Sequence, residues 1–308
     1  MRILVTGGAG FIGSHVVEQL AACGADVAVL DDLSRGSLSN LHPAASLYHG
    51  DIRDEEFVRE TLAQFRPLVV IHQAAQVDVR ASLDDPARDA AVNIGGTINL
   101  LEACRRTGVE KVVYASSAAV YGDPLYLPVD EEHPVRPLAG YGISKHTVEH
   151  YLEAYRGLYG LDYTVLRYAN VYGPRQDAAG EGGVVAVFVH RLLRGDVPCI
   201  FGDGEQTRDF VYVGDVAAAN LAAVKKGGGR VLNVSTGRAT TVNELYVLLQ
   251  QLTGCRAKAH YRPPRPGDIR HSYLSCSLAR EVLGWQPRTD LAAGLRLTVE
   301  WYRKNGGC

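Results

Sequence analysis

Arg2-Ile3-Leu4-Val5-Thr6-Gly7-Gly8-Ala9-Gly10-Phe11-Ile12-Gly13 reads as an apolar run, a glycine cluster and the opening of an amphipathic stretch that continues to residue 23. The apolar run is too short for a helix and is stopped abruptly by glycine, which predicts a buried parallel strand, a tight turn and a helix. Its glycines fit two patterns, Gly-x-Gly-x-x-Gly at 8, 10 and 13 and Gly-x-x-Gly-x-x-Gly at 7, 10 and 13. Residues without a side chain let backbone N–H groups approach a pyrophosphate at a helix N-terminus, whereas many glycine clusters are only turns. The second apolar run, residues 27–30, ends in Asp31, close to the spacing at which an acid accepts the adenosine ribose hydroxyls of a dinucleotide. A carboxylate there repels a 2′-phosphate and favours NAD over NADP. Arg35, four residues on, works in the opposite direction.

Composition narrows the class. The balance of 32 basic and 34 acidic residues leaves no electrostatic footprint for nucleic acid or an anionic membrane. Cys23, Cys104, Cys199, Cys255, Cys276 and Cys308 are scattered, with no C-x-x-C pair, and suggest neither a disulfide framework nor a zinc site. No apolar run is long enough to span a bilayer, and the first strand begins at Arg2 with no leader before it. These features predict a cytoplasmic α/β chain without a structural metal.

Further along, residues 46–49 form a short strand running into Gly50-Asp51-Ile52. There Asp51 either meets an adenine amino group or, with Asp54 as the competing candidate, caps the next helix. Residues 68–71 form a β-branched run leading into His72-Gln73-Ala74-Ala75, where small side chains again let backbone approach a ligand; His72 reads as a strand end rather than a metal ligand. Residues 86–107 have helical periodicity interrupted by Asn93, which either bridges elements or organises a proton relay. The strand at 112–115 delivers Ser116 and Ser117 to its C-terminal end, the edge at which open α/β sheets bind ligands. A long helix then opens with Tyr141-Gly142-Ile143-Ser144-Lys145, whose Tyr and Lys, four apart, share one face.

With these residues in place the chain resembles the extended short-chain dehydrogenases/reductases, and among them the nucleotide-sugar 4-epimerases, over almost its whole length. The matching stretches are 6–13, 31, 50–52, 72–75, 116–122, 141–145, 166–175, 202–215 and 264–268. The resemblance implies a Rossmann-type, doubly wound parallel sheet of α/β class with a smaller discontinuous substrate lobe. Residues 1–169 and 213–236 would hold NAD, and residues 170–212 and 237–308 the nucleotide sugar. It also implies NAD contacts from Gly7, Gly10, Phe11, Ile12, Gly13, Asp31, Asp32, Ser34, Asp51, Ile52, Gln73, Ala74, Ala75, Asn93, Tyr141, Lys145 and Tyr168. Asn170, Arg208 and Arg265 match diphosphate ligands, Phe201 a residue that packs on uracil, and Asp268 a ribose ligand. Around Gly183 and Val184 the usual asparagine contacts are missing, so backbone N–H groups would serve. Arg175 and Arg262 read as solvated surface charges. By analogy a homodimer forms through the 86–107 and 140–159 helices.

The implied catalytic residues are Ser117, Tyr141 and Lys145. Tyrosine keeps its proton until about pH 10 unless the phenolate is stabilised. Lys145 and a positive nicotinamide can do this, while Ser117 hydrogen-bonds the phenolate or the sugar hydroxyl. Tyr141 takes the 4-hydroxyl proton as hydride leaves C4 for NAD, and the keto sugar turns over before the hydride returns. Alanines at 118 and 119, where dehydratase relatives carry acids, leave no group to expel a hydroxyl. Ser272, aligned with a position that is bulky in strict glucose/galactose epimerases, admits an N-acetyl group. The predicted substrates are therefore UDP-glucose and UDP-galactose, with UDP-GlcNAc and UDP-GalNAc beside them. The rival readings are UDP-glucuronate, met by Arg80 or Arg175, another NAD(P)-dependent nucleotide-sugar enzyme of the same scaffold, and an inert dinucleotide sensor.

Overall fold

The computed structural model describes residues 1–178, 183–265 and 268–305. Strands β1 (Arg2–Thr6), β2 (Asp26–Asp31), β3 (Ser46–His49), β4 (Val69–His72), β5 (Lys111–Ser117) and β6 (Asp162–Tyr168) lie in one parallel sheet with a seventh strand, Arg230–Val234. From one edge the order is Arg230–Val234, β6, β5, β4, β1, β2, β3. The strand order reverses between β1 and β4, so a crevice opens above their C-terminal ends, where such sheets take ligands. Burial on both faces explains the unbroken apolar runs. Ile3 and Val5 enter one core and Leu4 the other, and Val69 and Ile71 are divided from Val70 in the same way.

On one face α1 (Phe11–Ala22) and helix Val213–Lys225 pack through Val16, Val17 and Leu20 against Val216, Ala219 and Ala223. On the other, α2 (Glu55–Phe65) supplies Val58 and Leu62. Asp54, not Asp51, caps α2, accepting from Phe57 N at 3.0 Å. Asp51 instead takes the Arg53 side chain and backbone N–H. A further core lies among helices Val184–Leu193, Val242–Thr253 and Leu291–Asn305, with Phe188, Leu245 and Val299 at its centre.

The single helix expected over 86–107 is interrupted. Short helices α3 (Val79–Asp84) and α4 (Pro86–Ala90) lead into a π-helical turn, Ala91–Gly95, before α5 (Gly96–Thr107). The cause is Asn93, only 2% exposed. Its Oδ1 accepts from Gln76 N at 2.8 Å, and its Nδ2 lies at 3.0 to 3.1 Å from Gln76 O, Asp89 Oδ1 and Ser144 Oγ. Widening the helix by one residue aims this amide across to the loop after β4, as π turns commonly do at working sites. Of the two readings of Asn93, bridging between elements is what the hydrogen bonds display.

The last helix of this face, α6 (Gly140–Tyr159), is fastened to the sheet by charge as well as by Val148 and Leu152. Glu149 accepts from Arg167 Nε of β6 at 3.0 Å and from Ser116 Oγ of β5 at 2.6 Å. Removing one member of such a buried pair strands the other without water. Arg167→Leu should therefore lower stability by about 3–5 kcal/mol in urea unfolding, and adding Glu149→Leu should recover much of that loss.

Candidate active site

The β1–α1 turn carries two kinds of glycine. Gly7 has φ +67°, and a Cβ there would lie 2.7 Å from Ala74 N. A Cβ on Gly13 would fall 2.1 Å from Gly7 O, so both positions exist to let backbone pack on backbone. Gly10 meets only Gly7 O, at 3.2 Å, and serves as the N-cap of α1 with no side-chain cap and no acid in the first turn. The first N–H groups of α1 are thus left for an anion. A Cβ on Gly8 would lie 2.7 Å from the Val29 side chain. Gly7, Gly8 and Gly13 thus leave no space for a Cβ, and Gly10 is the least crowded of the four.

Asp31 closes this cradle. Its carboxylate accepts from Ala9 N and Leu33 N, each at 2.9 Å; burial pushes its pKa up, and these backbone donors oppose the rise. Asp32 is held by the backbone N–H and hydroxyl of Ser34. Arg35 turns away to Asp177, 3.5 Å distant. The Arg53 side chain donates to Asp51 and lowers the pKa of its carboxyl. Ile52 is buried beneath Gly96, where a Cβ would come within 2.6 Å of it.

His72 ends β4 fully buried, bonded to Thr6 Oγ1 at 2.6 Å and Thr97 Oγ1 at 2.9 Å. Burial drops its pKa to about 3, so it is a neutral strut. Ala74 N donates to the same Thr6 hydroxyl. Gln73 Nε2 donates to the Tyr168 phenol and to Asn220 Oδ1, each at 3.0 Å. This joins two expected residues to one the sequence reading missed.

At the sheet edge β5 delivers Ser117, whose hydroxyl accepts from Ala119 N and also reaches the Tyr141 phenol. Tyr141 occupies the first turn of α6 and remains partly exposed. Lys145, one turn on, donates to Ala115 O at 2.8 Å, with Nζ 5.9 Å from the Tyr141 ring centre and 5.0 Å from that of Tyr114. Burial lowers the Lys145 pKa to about 8, opposed by Asp89 and Glu149. Desolvation raises that of Tyr141, and the Ser117 hydrogen bond works against it. The protein groups alone thus hold Tyr141 as the phenol. Asp89 and Glu149, like Asn220 and Arg167, are residues that sequence reasoning passed over, and these two had a local signal. Their signals were spacings: Asp89 lies four before Asn93, and Glu149 four after Lys145, each on one helix face.

A cavity of about 190 Å³ lies beyond this edge. Asn170, Val184, Phe201, Arg208, Arg265 and Asp268 all line it, joined by Gln206 and Val242. The Arg265 guanidinium sits 3.9 Å over the Phe201 ring centre. Arg208 donates to Thr207 O; its pKa is lowered by burial and supported by Asp268. Gly183 caps helix Val184–Leu193 with no side-chain cap and no acid in the first turn, leaving backbone donors at the cavity. Ser272 is not among the lining residues; its N–H is bonded to Thr207 O. Arg262 is exposed, as expected. Arg175 is not a solvated charge: it adopts φ +69°, donates to Ser14 Oγ at 3.1 Å and pairs with Glu18. It fastens the loop after residue 172 to α1, a contact invisible in local sequence because its partners lie over 150 residues away.

The sequence profile described as NAD dependent epimerase/dehydratase family matches residues 3–235. The chain is 48% identical over 310 residues to the UDP-glucose 4-epimerase of Mycolicibacterium smegmatis, covering 98% of this chain and 99% of that protein. It is similar to the crystal structure of Thermotoga maritima UDP-glucose 4-epimerase with UDP-glucose, at 51% identity and TM-score 0.97, covering 99% of each chain. It also resembles the Thermus thermophilus UDP-glucose 4-epimerase in complex with NAD, at 45% identity and TM-score 0.94, covering 99% and 100% of the two chains.

The burial of Lys145 has a stability signature. Its folded pKa, about 8, lies below its ordinary value. The unfolded chain therefore binds more protons between that pH and about 10.5, and stability rises with pH across this window. Replacing Lys145 by Met should flatten the rise, as read by denaturant unfolding of cofactor-free protein at successive pH values.

Proposed function

We infer that this chain, which belongs to the NAD dependent epimerase/dehydratase family, is an isomerase that inverts C4 of a UDP-hexose with NAD as its cofactor. The observation that carries the reading is the meeting of Ser117, Tyr141 and Lys145 at the sheet edge between the glycine turn of α1 and the arginine-lined cavity. The glycine turn fits a dinucleotide. Gly10 leaves backbone N–H groups uncovered for the pyrophosphate, and Asp31 and Asp32 stand at the ribose end with Arg35 committed to Asp177. We assign Gly7, Gly10, Phe11, Ile12, Gly13, Asp31, Asp32, Ser34, Asp51, Ile52, Gln73, Ala74, Ala75, Asn93 and Tyr168 to holding it. Residues 1–169 and 213–236 form its domain, and 170–212 with 237–308 form the sugar lobe.

When bound, NAD accepts the hydrogen and electron pair from C4, gives them back, and carries a positive ring charge in its oxidised form. The chain's own residues handle the proton. Tyr141 accepts it from the sugar 4-hydroxyl and returns it to the same oxygen once the keto sugar has turned its other face of C4 inward, with Ser117 donating a hydrogen bond to that oxygen. Lys145 supplies a fixed positive charge beside the phenolate, offsetting the burial that favours the phenol. Arg208, Arg265, Asn170 and the N-terminal amides at Val184 grip the diphosphate, Phe201 stacks on uracil and Asp268 takes the ribose. Arg175 is bound to Glu18, which removes one of the two arginines that could meet a uronate carboxylate.

Two finer assignments follow. Ile143 at 52%, Tyr151 at 38% and Leu158 at 73% exposure leave an apolar strip on α6 that suits a homodimer through α5 and α6. The N-acetylhexosamine reading rests on the small side chain at Ser272, whose N–H donates to Thr207 O beside the cavity residue Arg208 rather than lining the cavity itself; Ser272→Tyr should cut turnover of UDP-GlcNAc by at least about tenfold while sparing UDP-glucose. The decisive experiment is the C4 configuration of product from UDP-glucose without added cofactor. Wild-type protein should yield the galacto product, and Tyr141→Phe should lose at least about a hundredfold in kcat. No product from wild-type protein with bound NAD confirmed would overturn the assignment.

A further inference from the structure

His146 and His150 lie one turn apart on α6, with ring centres 4.5 Å apart and their Nε2 atoms 3.1 Å from each other. His146 Nδ1 lies 3.1 Å from Glu149 Oε2. Because Arg167 and Ser116 already donate to that carboxylate and hold it ionised, the contact requires Nδ1 to carry the proton. His146 Nε2 then accepts from His150 Nε2–H, and an ion bound between them would take the place of that proton, which His150 would carry on Nδ1 instead. A carboxylate on the far nitrogen of an imidazole is the outer-shell arrangement that fixes a metal ligand's tautomer and raises its basicity.

We propose that His146 and His150 form a surface site for one divalent ion of the zinc, nickel or copper class, with water completing its coordination. Two imidazole nitrogens 3.1 Å apart, each at a bond length of about 2.0–2.1 Å from one ion, subtend an angle of about 100°, near that of a tetrahedral zinc centre. Imidazole suits these ions and is a poor ligand for magnesium or calcium. No cluster of three or more ligating side chains occurs among the described residues, which thus supply two ligands here. It also lies away from the α5 side of the helix. Ser144 and Tyr155, which reach Asn93 and Glu102, stand on nearly the opposite flank at the helical repeat of about 100° per residue.

Calorimetric titration of the NAD-loaded full-length protein with Zn²⁺ tests the site. Wild type should bind one ion per chain, and His150→Gln and His146→Gln should each weaken that binding by at least about tenfold. His260→Gln, exposed on a distant strand, should bind as wild type does. Cu²⁺ bound to wild type should show coupling to two imidazole nitrogens by electron paramagnetic resonance, reduced to one in His150→Gln. Epimerisation without metal should be unchanged in His150→Gln, which separates loss of the site from loss of the fold. Equal Zn²⁺ affinity in wild type and His150→Gln, or no one-to-one binding by wild type, would overturn the proposal.

Discussion

A glutamate and an arginine buried against each other halfway along α6 determine where the Tyr141–Lys145 end of that helix meets the sheet. Glu149 and Arg167 are about 6% and 5% exposed, and Ser116 of the neighbouring strand donates to the same carboxylate. An apolar contact would hold the helix against the sheet but would tolerate sliding or rotation. A planar guanidinium gripping two carboxylate oxygens fixes both, because a small shift breaks hydrogen bonds whose loss leaves charge in a dry interior. With Glu149 fixed, the helical repeat places Lys145 one turn earlier beneath Ala115, and Tyr141 one turn earlier again beside Ser117.

That placement sets a conflict of charges which the site depends on. Lys145 is buried and loses affinity for its proton, while Asp89 and Glu149 act to keep it. The same Asp89 raises the pKa of Tyr141, so the carboxylate that secures the cation also opposes the phenolate. The site is therefore not a ready base by itself. Coupling base strength to a further positive charge at the cleft is a physical reason for proton removal to follow filling of the glycine cradle.

The parts of this arrangement that follow from short-range rules were legible. The β1–α1 turn, the short apolar runs that form strands and the Tyr-x-x-x-Lys face depend on spacing within one element. The parts set by distant partners were not. The π turn at Ala91–Gly95 exists because Asn93 reaches Gln76 and Ser144, and no helical periodicity encodes those partners. Arg175 looks like any surface arginine until Glu18 is brought beside it. The sugar-lobe residues were recognisable only through family resemblance, since Phe201, Arg208 and Arg265 converge from separate segments on one cavity. Ser272 came by the same route and sits one hydrogen bond from the cavity, its N–H donating to Thr207 O.

Helix starts reveal how stability and function are divided. Helix α2 is capped by Asp54, and helix Val242–Thr253 by a reciprocal Thr241–Glu244 box, each side-chain cap contributing about 1 kcal/mol. The helices α1, α6 and Val184–Leu193 have neither a side-chain cap nor an acid in the first turn. Short helix Ser277–Leu283 shares this feature, so an uncapped start is not sufficient to mark a site. What distinguishes the three is their surroundings: a glycine turn, a tyrosine–lysine face and an arginine-lined cavity. At each, a side-chain carboxylate would occupy the N–H groups that a bound anion could otherwise use. The stability forgone at these ends leaves the positive poles of three helix dipoles turned toward the ligand cleft.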